Sequence, residues 1–365
     1  MIVLFFFLSC FDLKRSTLED LEFPSCLNAT EKKILPQWRP NDFFSKTFED
    51  GSIILMAEHH EQVVQIENLS RAIELASQKN QNMYFAAEWL SQSSTNQLNT
   101  LVNNQQWNQE IWNSIIENKY YIRPLHISEY ELPIKKIWYL NQHRKSPIKI
   151  FGLAPTCSFE NLSRKDVIRC LMEREKFMEE QVRKNFLPSQ KGLLFVGLGF
   201  RHAQLTATDI EHNIPLGARL SDYNLTSILL NGFGLKGLSL CNGIFDHLKT
   251  EIIVSPNDLG IPLLNTSCVS TDPYHNIIPL HEAYSHIWIG PYDWKKGTYL
   301  SKDTINNMRP QTLSNWSIFQ HSLMQGPNLG HNSMDWSKWI ESNFSQLNPQ
   351  EQNHFDCSQM SFIGK

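Results

Sequence analysis

Glu58, His59 and His60 close an apolar run, Ile53-Ile54-Leu55-Met56-Ala57, and are the first residues in the chain whose types suggest chemistry. A second apolar run, Met83-Tyr84-Phe85-Ala86-Ala87, ends in Glu88, and a third, Leu193-Leu194-Phe195-Val196-Gly197-Leu198-Gly199, delivers Phe200, Arg201 and His202. Imidazole nitrogen and carboxylate oxygen together suit a divalent metal, so Glu58, His60, Glu88 and His202 brought to one place would bind a cation and leave a position for water. Without a metal, an imidazole held in one tautomer by a carboxylate is a general base. Both routes activate water. Arg201 suits two roles equally: an ion pair with Glu58 or Glu88, or the orientation of an anionic group of a substrate. A single His after a strand is more often a turn or cap residue, so the weight comes from three runs that end alike.

Those runs must be placed by the fold. Short apolar stretches without helical spacing, bounded by residues such as Asp50-Gly51-Ser52, read as strands buried on both faces. Further strands are expected at residues 148–153, 227–230, 251–254 and 286–290. Between them, Val63, Ile66, Leu69, Ile73 and Ala76 recur at helical spacing, and a long helix is expected over residues 164–185. Residues 95–145 read as a helical insertion, with Trp107, Ile111 and Ile115 on one stripe and Ile134, Ile137 and Leu140 on another. Alternating strands and helices predict an α/β fold with a mainly parallel central sheet covered by helices on both faces. In such sheets ligands collect at the carboxyl ends of the strands, where Glu58, Glu88 and His202 fall.

Several lookalikes fail on spacing. His281-Glu282-Ala283-Tyr284-Ser285-His286 places its histidines five apart, which turns the second off the helical face of the first. Gly197-Leu198-Gly199-Phe200-Arg201-His202 begins like a dinucleotide-binding turn but has His at the third Gly position. Neither a Gly-x-Ser-x-Gly elbow nor a P-loop is present, which removes the usual support for serine hydrolases and nucleotide phosphotransferases.

Composition narrows the partners. A formal net charge of -4, with Lys and Arg in no stripe, argues against nucleic acid. The first ten residues, Met1 to Cys10, are too short to span a bilayer but resemble the apolar core of an export signal. Phe7-Leu8-Ser9-Cys10 resembles a lipobox that would lipidate Cys10. A lipid-anchored protein of a bacterial envelope membrane is the resulting expectation. Residues 11–47, polar and Pro-containing, read as a tether, residues 48–298 as the domain, and residues 299–365 as an extension without visible chemistry. Besides Cys10, the cysteines Cys26, Cys157, Cys170, Cys241, Cys268 and Cys357 permit disulfides or single buried thiols, and no Cys-x-x-Cys suggests zinc. The seven Asn-x-Ser/Thr sequons are expected by chance in a bacterial chain rich in Asn.

Leu55-Met56-Ala57-Glu58-His59-His60 resembles the Gly-Glu-x-His segment of the superfamily that joins ChaN-type haem-binding lipoproteins, TraB and Tiki proteins and erythromycin esterases. Ala57 stands at the Gly position. Ala86-Ala87-Glu88-Trp89 is similar to that group's second-strand Glu, and Gly199-Phe200-Arg201-His202 to its later Gly-x-x-His. Arg174-Glu175-Lys176-Phe177-Met178 resembles its Arg-Asp-x-x-Met helix, with Glu175 at the Asp position. The resemblance covers residues 48–290. It implies an α/β domain with Glu58, His60, Glu88 and His202 in one cleft, and Arg174 and Arg201 are candidate substrate-binding residues.

Three functions are compatible with that superfamily, because fold alone does not fix chemistry. The leading expectation is a hydrolase-like protein acting on a small molecule or peptide, with His60 as base or metal ligand, Glu58 and Glu88 orienting or ligating, and His202 as second His. The second is a carrier of haem or an iron complex, with His or Tyr as axial ligand. The third is an inert envelope component that retains only the fold.

Overall fold

A computed structural model describes residues 37–46, 48–58, 63–78, 82–117, 127–155, 173–186, 191–206, 214–230, 251–256, 269–271 and 277–289. Ten strands occur among them. They are β1 (Gln37–Trp38), β2 (Ser52–Glu58), β3 (Met83–Ser91), β4 (Lys149–Ala154), β5 (Leu193–Gly199), β6 (Asn224–Leu230), β7 (Ile252–Val254), β8 (Val269–Thr271), β9 (Ile277–Pro279) and β10 (His286–Ile289). The helices are α1 (Pro40–Lys46), α2 (Val63–Ser77), α3 (Thr95–Asn103), α4 (Gln109–Glu117), α5 (Ile127–Asn141), α6 (Arg174–Asn185), α7 (Leu216–Arg219) and α8 (Leu280–Ala283).

Eight strands form one sheet in the order β1-β7-β10-β6-β2-β5-β3-β4, and β8 and β9 form a separate antiparallel pair. From β10 to β4 every neighbouring pair is parallel, while β7 and β1 add an antiparallel edge. Strand β5 returns to lie between β2 and β3, so the carboxyl ends of these three strands are side by side. Every residue of β2 and β5 is buried, as their unbroken apolar sequence requires for central parallel strands.

Side chains of alternating parity leave each strand toward opposite layers. Ile54, Met56, Phe85, Ala87, Trp89 and Phe195 face a layer built on α1 to α5, with Phe43, Leu69, Ile73, Leu98, Trp112 and Ile134 in its core. Ile53, Leu55, Ala57, Ala86, Leu194, Val196 and Leu198 face the other, where Met178 and Val182 of α6, Leu216 of α7 and Ala283 and Tyr284 close the second core. The expected sheet with helices on both faces is therefore present.

Two boundaries differ from the sequence reading. Residues 37–46 are part of the folded unit and not only of a tether: Phe43 and Phe44 are fully buried, and Phe44 packs on Trp288 of β10 at 5.4 Å between ring centroids. The strand expected to end at Ala87 continues to Ser91, because pairing with β5 stops at Ala87↔Gly197 while a register shift lets Ser91 pair with Ala154. Gly152 permits that irregularity, since a Cβ there would lie 2.1 Å from the Ser91 carbonyl oxygen. The insertion resolves into α3, α4 and α5, with residues 118–126 outside the description. Residues 1–36, which include Cys10, and residues 290–365 lie outside it as well.

Candidate functional site

Strand β5 ends in Gly199 and turns at once, and the turn that carries Arg201 and His202 is tied on several sides. The Phe200 amide donates to the Glu58 carbonyl oxygen at 2.8 Å, and the His202 amide donates to the Gly199 carbonyl oxygen at 3.0 Å. Tyr284 Oη donates to the Phe200 carbonyl oxygen at 2.8 Å, Ser227 Oγ to that of Ala203 at 2.6 Å, and the Gly217 amide to that of His202 at 3.0 Å. The last contact needs a residue without a side chain: a Cβ on Gly217 would sit 2.4 Å from the Gln204 carbonyl oxygen.

His202 lies between two carboxylates. Its Nδ1 bonds Glu175 Oε1, and the other oxygen of Glu175 accepts from the Leu216 amide at 2.8 Å, so that carboxylate is fixed at both ends. With the Nδ1 proton donated to Glu175, Nε2 carries the imidazole lone pair. Nε2 faces Glu88 Oε2 at 3.5 Å, too long for a hydrogen bond. Glu88 is itself held, Oε2 accepting from the Gly199 amide at 3.0 Å and Oε1 forming an ion pair with Arg174 Nη2 at 3.0 Å. The His202 side chain retains 19% of its surface against 4% for Glu88, so the imidazole is the member a small molecule reaches.

Of the residues expected at the site, Glu88, His202 and Arg174 are brought together. Glu58 is fully buried at the end of β2, opposite Gly199 in register, and leaves the sheet toward the α1 to α5 layer together with Ile54 and Met56. Its Oε1 accepts from Tyr130 Oη of α5 at 2.8 Å. Glu88, with the parity of Ala86, leaves toward the α6 layer. The two carboxylates thus share the sheet edge but depart from it on opposite faces. Arg201 is half-buried, its guanidinium carbon 5.5 Å from the Phe200 ring centroid. His59 and His60 lie outside the described residues.

Two contributors were not assigned a role from the sequence. Glu175 entered only as a departure from a motif, although its place next to Arg174 on a helix start was a usable signal. Tyr130 extends the stripe of Ile134 and Ile137 by one turn, a hydroxyl on an otherwise apolar face.

Behind the cluster, α6 is clamped to the α7 loop. Arg183 makes two bonds of 2.8 Å to the Asp222 carboxylate, a third of 3.1 Å to the Arg219 carbonyl oxygen and a fourth of 2.9 Å to Glu179. The hydrogen bonds from Arg183 hold the Asp222 carboxyl below its usual range, and those to Asp222 raise Arg183. Burial pushes the Tyr223 phenol upward, with the Arg183 guanidinium 5.2 Å from its ring. This clamp fixes Glu175 relative to Leu216, and with it the orientation of His202.

The described donors do not fit a divalent metal. No group of three or more His, Cys, Asp or Glu side chains among the described residues could hold one. Glu88 faces a guanidinium whose positive charge would repel a cation, and Nδ1 of His202 is committed to Glu175. The zincin lookalike is also dismantled, with His281 on α8 and His286 at the start of β10, where its ring contacts Phe43. No helix among the described residues is long and apolar enough to cross a membrane.

No family model and no curated protein matches the chain. Among solved structures, a succinoglycan biosynthesis protein overlays with a TM-score of 0.50 at 11% identity, covering 69% of this chain and 90% of that one. Erythromycin esterase EreC, in an open conformation, gives 0.46 at 12% identity over 73% of this chain and 95% of its own. Haem-binding ChaN of Campylobacter jejuni gives 0.37 at 12% over 69% and 91%. The last two are of the kinds named by the motif resemblance. At these identities the likeness concerns the fold and does not extend to activity.

Proposed function

We propose that the protein is a hydrolase in which His202 acts as general base. The observation that carries this reading is the Glu175–His202 pair: a carboxylate fixed by the Leu216 amide holds Nδ1 and leaves the Nε2 lone pair as the reachable base. Nε2 takes a proton from water as its oxygen attacks the acyl carbon, and Glu175 stabilises the imidazolium so formed. The imidazolium then returns the proton to the departing alkoxide. Arg174 balances the charge of Glu88 beside the reacting groups.

Hydrolysis of p-nitrophenyl acetate, p-nitrophenyl butyrate and a lactone panel by the full chain tests the reading, with His202→Gln beside the wild type. Turnover of at least one compound, lost in the variant while its melting temperature holds, is the expected result. Equal turnover in the variant, or none in the wild type, overturns it. Haem titration is run in parallel: a Soret band that disappears in His202→Gln would favour a carrier of haem instead.

The same proposal places the domain at a membrane through lipid on Cys10, on the support of Phe7-Leu8-Ser9-Cys10 alone. Incorporation of labelled palmitate into the wild type and not into Cys10→Ser is the expected result in a bacterial host. Equal labelling of the two would remove the anchor.

A further inference from the structure

We infer that Tyr130, supplied by the helical insertion, is a positioning residue for the turn that carries His202, acting through Glu58 from the opposite face of the sheet; the inference rests on the reading above. A carboxylate with none of its surface exposed needs hydrogen bonds to be tolerated, and Tyr130 Oη supplies one to Oε1 at 2.8 Å. The tyrosine ring is itself buried and lies on Trp89, with centroids 4.7 Å apart and planes at 34°. Trp89 directly follows Glu88, so one aromatic pair spans the carboxyl ends of β3 and β2.

The donor cannot drift, because α5 is anchored along its length. Ile134 and Ile137 are fully buried, Lys136 pairs with Glu74 of α2 at 2.9 Å, and Trp138 Nε1 donates to the Asn104 carbonyl oxygen at 2.8 Å. Packing alone would accept Phe at position 130. The hydroxyl is directed at the residue whose carbonyl oxygen also accepts from Phe200, in the turn that presents His202. Glu58 therefore connects the insertion to the turn through its backbone carbonyl oxygen, and Tyr130 holds its carboxylate on the face opposite His202.

Kinetics on p-nitrophenyl acetate are compared for wild type, Tyr130→Phe, Glu58→Gln, the double variant and His202→Gln, with thermal melts of each. Tyr130→Phe is expected to lower kcat about tenfold with KM unchanged, the size of one lost hydrogen bond to a charged group. On the Glu58→Gln background, where the acceptor is a neutral amide oxygen, the same change is expected to cost only about two- to threefold, a coupling that a packing role would not produce. Wild-type kcat in Tyr130→Phe, or a loss equally large on both backgrounds, overturns the inference while an inactive His202→Gln leaves the hydrolytic reading standing. Activity in His202→Gln overturns both.

Discussion

The Gly199 amide donates to Glu88 Oε2 at 3.0 Å at the point where β3 stops pairing with β5. A backbone hydrogen bond that the ladder would have supplied is thus made by a side chain, and the same carboxylate carries the Arg174 ion pair. Structure and charge balance meet in one residue. Replacing Glu88 with Ala leaves a buried guanidinium and a buried amide without their acceptor, and a loss of about 3–5 kcal/mol is expected. Urea denaturation measures it. Glu88→Gln, which keeps an acceptor for Gly199, should fall between Ala and the wild type, and equal midpoints for all three would mean the pair contributes nothing to the fold.

Glu175→Gln is expected to separate stability from activity. The amide oxygen still accepts from Leu216, so the melt should shift little, but the negative charge that stabilises an imidazolium on His202 is gone. A fall in kcat of about 10²–10⁴-fold, the range of general-base contributions, is expected on whichever ester is turned over. Glu175→Ala should show the same kinetic loss plus about 1–3 kcal/mol of destabilisation from the unpaired Leu216 amide. Wild-type kcat in Glu175→Gln would show that tautomer and charge at His202 are set elsewhere.

Much of this arrangement was legible in the residues before any coordinates. Ile53 to Ala57 and Leu193 to Leu198 are apolar at every position, which only a strand buried on both faces explains, and they form the centre of the sheet. Arg201 and His202, two and three residues past Gly199, marked the turn at the end of β5 as polar. Strand order was not legible: that β5 inserts between β2 and β3 depends on which hydrophobic surfaces meet, and no local pattern encodes it. Nor was the exit of Glu58 and Glu88 on opposite faces, because parity within one strand says nothing about another until the register Glu58↔Gly199 and Ala87↔Gly197 is known. The continuation of β3 past Glu88 was hidden for a similar reason, since it depends on Gly152 admitting the Ser91 carbonyl from another strand.

The Arg183–Asp222 clamp gives a pH dependence of known sign. Asp222 has its folded-state pKa lowered, so its contribution is present above the unfolded carboxylate value of about 3.9 and is lost as pH falls through the lower folded value. Raised Arg183 and Tyr223 act in the opposite sense, present below their unfolded values and lost only in strong alkali. The Asp222 side chain keeps 57% of its surface, so solvent screening limits the pair to under about 1 kcal/mol. Asp222→Asn should therefore lower the urea midpoint slightly at pH 7, less so in 1 M salt, and progressively less as pH falls below the usual carboxylate range. A difference that persists at acid pH would show that the carboxylate's charge is not its contribution.

Among the described residues β4 is the outer strand of the sheet, and its edge is covered by side chains that imitate a neighbouring strand. Asn99 of α3 accepts from the Ile150 amide at 3.0 Å and donates to the Ile150 carbonyl oxygen at 2.6 Å, a two-way exchange of the kind a paired strand makes. Asn141 of α5 does the same at Ile148, at 2.8 and 3.2 Å, and Thr95 Oγ1 accepts from the Gly152 amide at 3.2 Å. An uncovered edge of this apolar sequence would template pairing with other chains. Asn99→Leu keeps the branching and number of side-chain heavy atoms and removes both hydrogen bonds, so a loss of roughly 2–4 kcal/mol is expected from two stranded backbone groups. Light scattering on warming should rise earlier than in the wild type, and earlier still in Asn99→Leu/Asn141→Leu. Matching melts and scattering for all three proteins would mean that the amide side chains neither stabilise β4 nor shield it.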